Sequence, residues 1–591
     1  MPDLSGASPA AVAAVLLVSA ATVVVGSFGL RLSRTTSDFY VASRAVSPRW
    51  NASAISGEYL SAASFLGIAG LVLTGGADML WFPVGYTAGY LVLLVLVAAP
   101  LRRSGAYTLP DFAELRLGSR HVRLTASVLV VGIGWLYLLP QLQGAGLALR
   151  AVTGLPGWVG AVLVATVVVL NVAGGGMRSI TFVQAFQYWL KLTAIALPAF
   201  VLLAVWTGDG RPSPAQAGPP VARETTSTEL AADTTLRVDV GVRVHVDGTV
   251  DGRPVDGSLD LAPGDRPVLG RGTVVTVPAG AVVPHATRTP AVGGERWVLP
   301  LSGAGSRDHP LYSTYSIILA LFFGTMGLPH VLVRFYTNPD GRAARRTTLT
   351  VIALLGAFYV FPPLYGALGR VYAPDLLLTG RTDSVVLLLP VRLVGGVAGE
   401  LLGALTAAGA FAAFLSTSSG LVMSVAGVVH QDLLRARRPA RRGDPHPTSL
   451  RGFGLATVLA VSAPAGLSLL GPSLSLADTV GLAFAVAAST FCPLLVLGIW
   501  WRGLTRAGAV AGLVVGGTLA SAAVLATLVR GSAGGWTGAL LAQPAAWTVP
   551  VAFAVTVLTS LATRGSLPPH VARTMVRLHA PEDVDVDRDP R

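Results

Sequence analysis

The sequence predicts an all-α polytopic membrane protein of about thirteen transmembrane helices, interrupted by one small β-rich insertion. Three observations carry that prediction. Of the 591 residues, 52% are hydrophobic and only 12% are charged, with a mean hydropathy of +0.64; soluble chains carry about twice that share of charge. Apolar runs of about 20 residues, the length that crosses a bilayer, recur along most of the chain. Arginines gather in alternate short loops between those runs, the pattern of cytoplasmic loops.

The first apolar run, near residues 10–30, has no basic segment before it and reads as a retained span rather than a cleaved signal. Further runs centre near residues 63, 90, 135, 167, 195, 322, 357, 412, 460, 489, 518 and 555. One set of loops holds Arg34, Arg44 and Arg49, then Arg102, Arg103, Arg116, Arg120 and Arg123. Later on the same side come Arg334, Arg342, Arg345 and Arg346, then Arg435, Arg437, Arg438, Arg441 and Arg442, then Arg502 and Arg506. The opposite short loops are nearly bare. The expected orientation in the cytoplasmic membrane is therefore N-terminus outside and C-terminus inside. The net charge of +13 is explained by these loops, which argues against nucleic-acid binding.

Residues 207–308 break the pattern. Val238, Val240, Val242, Val244 and Val246 alternate with polar residues and lead into Asp247-Gly248, which predicts a strand entering a hairpin turn. The insertion is expected on the outer face, as a decorated loop rather than a capture domain. "YTLPDFAEL" (107–115) predicts a short cytoplasmic helix with Pro110 in its first turn. The sequon at Asn51 falls at a cytoplasmic boundary and is set aside. Cys492, the single cysteine, rules out an intrachain disulfide and a cysteine metal site. Lys191, the single lysine, stands beside Trp189 and is expected to reach the cytoplasmic interface. The tail 564–591 turns from basic to acidic and is expected to lack fixed structure.

Four polar clusters lie inside apolar runs, where such residues normally face a bundle interior or cavity. They are "SGEYLSAASFLG" (56–67), "YLLPQLQGAG" (137–146), "FFGTMGLPH" (322–330) and "FLSTSSG" (414–420). Glycine and proline in the first and third free backbone groups, which a membrane tolerates only where a helix lines a site. Broken helices at matching places in two halves point to the solute site of a transporter. Here they fall in the second and seventh spans, so that 51–206 and 309–505 would form two inverted five-helix repeats. The first helix and its loop (1–50) precede them, and two further spans (506–563) follow. Carbonyls of unwound helices and hydroxyls such as those of "STSSG" suit Na+ without adding a fixed charge. Helix N-termini at the breaks favour an anion such as a carboxylate.

"GEYLSAASFLGI" (57–68), "FGTMGLPHVLVRFYTNPDGRAARR" (323–346) and "GLAFAVAAS" (481–489) resemble the first, sixth and tenth core helices of the sodium/solute symporter family, and most closely its cation–acetate (monocarboxylate) branch. "FVQAFQYWLK" (182–191) is a looser match near the fifth. The resemblance covers about residues 35–530 apart from the insertion, which the branch pattern lacks. It implies the leucine-transporter-type fold and alternating access. It also implies a cation site of the carbonyls of Gly57, Leu60 and Ala413 with the hydroxyls of Ser416 and Thr417. The interval from Ser416 to Asp432 fits the same pattern. A carboxylate solute is expected near Ser61, Ala62 and Ser64, opposite Gly324, Thr325 and Gly327, with Gln141 nearby. Glu58 could carry a proton, support the ion site from behind, or join a salt bridge. His330 is expected to make a structural hydrogen bond at a helix end, with titration as the other reading.

The leading expectation is symport of a small monocarboxylate such as acetate with Na+, or with H+, and no further cofactor. A different solute (sugar, amino acid or another organic acid) is the alternative, and a membrane sensor a more distant one. There is no GxxxxGK[ST] loop for ATP and no GxSxG or HExxH of a hydrolase, so no enzyme activity is expected.

Overall fold

A computed structural model describes residues 8–30, 46–216, 218–287, 289, 292–302, 309–434, 450–470, 475–530, 534–581 and 584. The loop arginines Arg34, Arg44, Arg435, Arg437, Arg438, Arg441 and Arg442, and the acidic end of the tail, lie outside the described residues.

The main helices, in chain order, are α1 (Pro9–Leu30), α2 (Pro48–Tyr59), α3 (Ile68–Gly75), α4 (Trp81–Leu96), α5 (Arg120–Thr153) and α6 (Gly157–Gly208). After the insertion come α7 (Pro310–Thr325), α8 (Pro329–Val333), α9 (Gly341–Tyr359), α10 (Gly396–Val428), α11 (Leu450–Leu470), α12 (Leu476–Trp500), α13 (Arg506–Arg530), α14 (Ala545–Ala562) and α15 (Val571–His579). Among the described residues, 11 helical stretches are long and apolar enough to cross a membrane. Two of them, Ala63–Leu96 and Gly157–Gly208, each hold two of the predicted centres, so every predicted centre falls within a stretch. In α6 the chain breaks at Gly176, whose φ of 62° only glycine adopts readily. Asn171 and Ser179, on either side of that break, both lie against Gly26 of α1, which requires the chain to fold back there.

Both predicted helix breaks are present. The first interrupts α2 at Leu60 (φ −72°, ψ 84°), and a π-helical turn, Ala63–Gly67, leads into α3. The second separates α7 from α8 at Leu328, which is extended (φ −77°, ψ 116°), with Pro329 opening the next turn as its fixed φ allows. α10, which carries "STSSG", is continuous, and every residue of that motif is buried. The helix predicted at 107–115 spans Leu109–Leu117, closed by a reciprocal Thr108–Asp111 capping box.

The insertion folds into a seven-stranded sheet in the order β1-β6-β3-β5-β2-β7, with β4 paired to β3. Its strands are β1 (Thr226–Glu229), β2 (Thr234–Arg237), β3 (Val242–Val250), β4 (Arg253–Leu261), β5 (Val268–Leu269), β6 (Val274–Val277) and β7 (His285–Ala286). Val244, Val246, Val275 and Val277 form a small core of its own. The predicted turn is displaced. β3 runs straight through Asp247-Gly248, and the hairpin closes four residues later at Asp251-Gly252, both at positive φ. That second pair satisfies the turn geometry, while Gly248 is needed because a Cβ there would strike Thr273. Val238 and Val240 lie before the strand, so the alternation is not a single strand.

The tail also departs from expectation. α15 buries Met575 and Leu578, three residues apart on one face, and Arg103 Nη1 donates to His579 O at 3.2 Å. A short amphipathic helix thus docks where fixed structure was not expected.

Candidate functional site

The site is built from what the first break leaves unpaired. A helix end strands its last carbonyls. The N–H of Leu60 still reaches Ser56 O at 3.0 Å, but the carbonyls of Gly57, Glu58 and Leu60 have no partner within their own helix. α10 and α6 supply the donors. Thr417 Oγ1 donates to Glu58 O at 2.6 Å, and Ser416 Oγ lies 2.8 Å from Gly57 O and 3.1 Å from Ala413 O. Gly57 permits this approach, since a Cβ there would lie 2.2 Å from Gln184 O of α6.

The five residues expected to hold a cation therefore converge, but a side chain is already among them. Lys191 of α6 is fully buried, and its Nζ donates to Leu60 O at 2.9 Å, to Ser416 Oγ at 2.7 Å and to Gly57 O. The expectation that Lys191 reaches the cytoplasmic interface is corrected. Its position on α6 faces the broken end of α2, where stranded carbonyls solvate an ammonium that lipid cannot.

Glu58 is the salt-bridge member of its three candidate roles. Its Oε2 lies 2.6 Å from Nε of Arg334, both side chains being essentially sealed. Arg334 also donates to Thr181 Oγ1 at 2.8 Å and to Gln184 Oε1, and Gln184 Nε2 donates to Ser416 O at 2.7 Å. One network thus joins the broken first core helix, the segment after the second break, α6 and α10. Asn51 is buried within it, donating to Arg334 O at 3.2 Å.

Around the other side of the break lie the residues expected to meet the solute. The N–H of Ala62 donates to Gln141 Oε1 at 3.0 Å, and Ser64 Oγ is 3.0 Å from the Tyr359 hydroxyl. Thr325 Oγ1 is 2.9 Å from the Tyr59 hydroxyl. Ser61 Oγ is buried beside the Tyr137 hydroxyl. Gly324 and Gly327 do not line this space: a Cβ on either would strike the backbone of α12, at Phe484 O or Ala487 O. They serve close packing of the second broken helix. His330 makes neither the expected structural hydrogen bond nor any other; both ring nitrogens are buried without a partner, and the ring lies 5.1 Å from that of Tyr137.

Sequence reasoning missed the aromatic lining. Tyr59 packs edge-on against Tyr86 and Tyr90 at 5.9 and 4.8 Å, Tyr86 stacks on Tyr359 at 6.0 Å, and Phe484 closes the group. The hydroxyls of Tyr86 and Tyr90 are buried without partners. Tyrosines in mid-span were the available signal. For Lys191 it was the single lysine of the chain, within an apolar run.

A search of the curated proteins finds an uncharacterized symporter, YwcA of Bacillus subtilis (strain 168), 27% identical over 514 residues, or 87% of this chain and 85% of that protein. Among solved structures, a Na+-coupled sialic acid symporter in a substrate-bound outward-open state matches with a TM-score of 0.63 at 16% identity, over 93% of this chain and 98% of that one. A nucleobase-cation-symport-1 family transporter in a closed conformation gives 0.48 at 12%, over 92% of this chain and 99% of that one. The family model described as the sodium:solute symporter family matches residues 39–213 and 302–516. With most of its membrane region inside that match and both broken helices in place, the chain belongs to the sodium:solute symporter family.

Proposed function

We propose that this protein imports a small monocarboxylate such as acetate by alternating access, coupled to the inward movement of a cation, Na+ or H+, across the cytoplasmic membrane. The observation that carries this reading is the set of buried polar groups left without partners beside the broken helices: the hydroxyls of Tyr86 and Tyr90, and both nitrogens of His330. Buried polar atoms are seldom left unpaired in a resting protein, so a bound solute is the natural partner. Hydroxyls and the first-turn amides of the helix beyond the break suit a carboxylate, because they donate without a fixed charge. The tight tyrosine and phenylalanine packing favours a small solute over a sugar. The single buried carboxylate nearby, Glu58, is held by Arg334 and need not repel an anion.

The orientation follows the arginine-rich loops, with the N-terminus outside and the C-terminus inside. Uptake of labelled acetate into proteoliposomes under an imposed Na+ or pH gradient is the test. Concentrative uptake, reduced by Ser61→Ala or Gln141→Ala, is expected. Binding without concentrative uptake under either gradient would overturn the proposal, and competition by unlabelled sugars or amino acids would move it to another solute.

A further inference from the structure

We infer that Lys191 supplies, as a tethered ammonium, the cation that this site would otherwise draw from solution, so that no free Na+ enters it. The inference deepens the proposed function and rests on the reading of Gly57, Leu60, Ala413, Ser416 and Thr417 as a cation site.

An ammonium carries three donors and no acceptor. Lys191 Nζ meets three acceptors, the carbonyls of Gly57 and Leu60 and the hydroxyl of Ser416, so its hydrogen-bonding capacity is filled. Two oxygens of the set remain, and both are engaged. Ala413 O faces the Ser416 hydroxyl at 3.1 Å, and Thr417 Oγ1 gives its proton to Glu58 O at 2.6 Å. Ala413 O and Thr417 Oγ1 keep lone pairs, so what closes the site to a second cation is the ammonium itself, which holds the other three oxygens and brings its own charge.

The charged groups facing Lys191 from neighbouring elements are Glu58 of α2 and, through it, Arg334. Glu58 Oε2 is taken by Arg334. A free Na+ would therefore stand beside an ammonium in a water-excluded space, with one carboxylate to offset the three positive charges of Na+, Lys191 and Arg334, and would be repelled. The burial of Lys191 is itself informative. Lysine is almost never fully buried unless paired, and nothing about α6 as a membrane helix calls for one.

The test uses the purified full chain in detergent, with unfolding followed in NaCl and in choline chloride of equal ionic strength. A ligand that binds only the folded state raises the midpoint. For the wild type, no Na+ response that depends on Ser416 is expected. Lys191→Ala, which removes the ammonium and opens its space, is expected to gain a Na+-specific rise of about 2 °C or more. The double variant Lys191→Ala with Ser416→Ala loses that gain, and Lys191→Met, which fills the space without charge, does not acquire it. A merely structural pin would give no gain in any variant.

A wild-type rise in Na+ that Ser416→Ala abolishes would overturn the inference, as would a folded Lys191→Ala with no Na+ response. If Lys191→Ala does not fold, the wild type and Ser416→Ala decide the matter between them. None of these readings requires acetate. Failure of acetate uptake would remove the monocarboxylate reading and leave this one standing.

Discussion

The guanidinium of Arg334 meets the carboxylate of Glu58 at 2.6 Å, with both side chains sealed from solvent. They stand 276 residues apart and join the two broken helices of the two repeats. Removing one partner of a buried pair strands the other charge, a loss of about 3–5 kcal/mol, whereas neutralising both leaves far less unsatisfied. Arg334→Met is therefore expected to lower the unfolding midpoint steeply, and Glu58→Gln with Arg334→Met to recover most of the loss. A double variant no more stable than Arg334→Met alone would mean that the pair does not act as a unit.

Gly420 keeps room for that carboxylate. A Cβ at this position would lie 1.9 Å from Glu58 Oε1, and the group cannot swing away while Arg334 holds it. Gly420→Ala should cut uptake at least tenfold and destabilise the chain about as much as loss of Glu58. Gly356→Ala is the matched control, because nothing lies within 4 Å of that position. Equal behaviour of the two variants in transport and thermal unfolding would refute the steric account.

Asp383 predicts a pH dependence of stability. It lies outside the spanning stretches, in the turn Thr382–Ser384, and its Oδ2 accepts from Leu476 N at 3.1 Å, at the start of α12. It also abuts Gly70 of α3. Burial pushes its carboxyl up to about 7, with Asp478 adding to the rise and the Leu476 N–H opposing it. The folded chain thus holds this proton more tightly than the unfolded one. The stability it adds is complete below the ordinary value of 3.8 and is lost as pH rises through about 7. Asp383→Asn keeps an acceptor for Leu476 and removes the titration. Its unfolding midpoint should fall less steeply than the wild type's between pH 4 and about 7; parallel curves would discard the assignment.

The insertion should be separable from transport. Its ends meet where Val283 N donates to Pro220 O at 3.0 Å, beside the Val221–Val282 bridge. Anchors outside that junction persist without the sheet: Trp297 Nε1 donates to Val72 O at 2.8 Å, and Arg370 Nε to Pro214 O at 2.9 Å. Replacing residues 222–281 by a two-glycine turn is expected to leave a folded chain with at least half the uptake rate. A folded but inactive product would instead give the sheet a direct part in transport.

Much of this was legible in the sequence because it is local. Hydropathy and length located the spans, and Gly57, Gly327 and Pro329 marked the breaks by what they deny the backbone. "STSSG" announced hydroxyls that had to face another helix. The insertion was legible as β structure, but two Asp-Gly pairs four residues apart left the turn to be chosen by strand pairing and by the room around Thr273. Local pattern also failed at Gly324 and Gly327, whose spacing gives the break but not whether the space beside it holds solute or the backbone of α12.

The sequence by itself therefore determined a broken-helix carrier with a polar centre, since a bilayer permits few other uses for unpaired backbone. Tertiary structure alone decided which groups complete that centre. Whether Lys191 reaches water or the stranded carbonyls of α2 depends on how α6 is turned against its neighbours. Whether Glu58 stands alone depends on Arg334, from the other half of the chain. Charges in a medium without water are governed by their nearest partners, and those partners are set by the packing of distant segments.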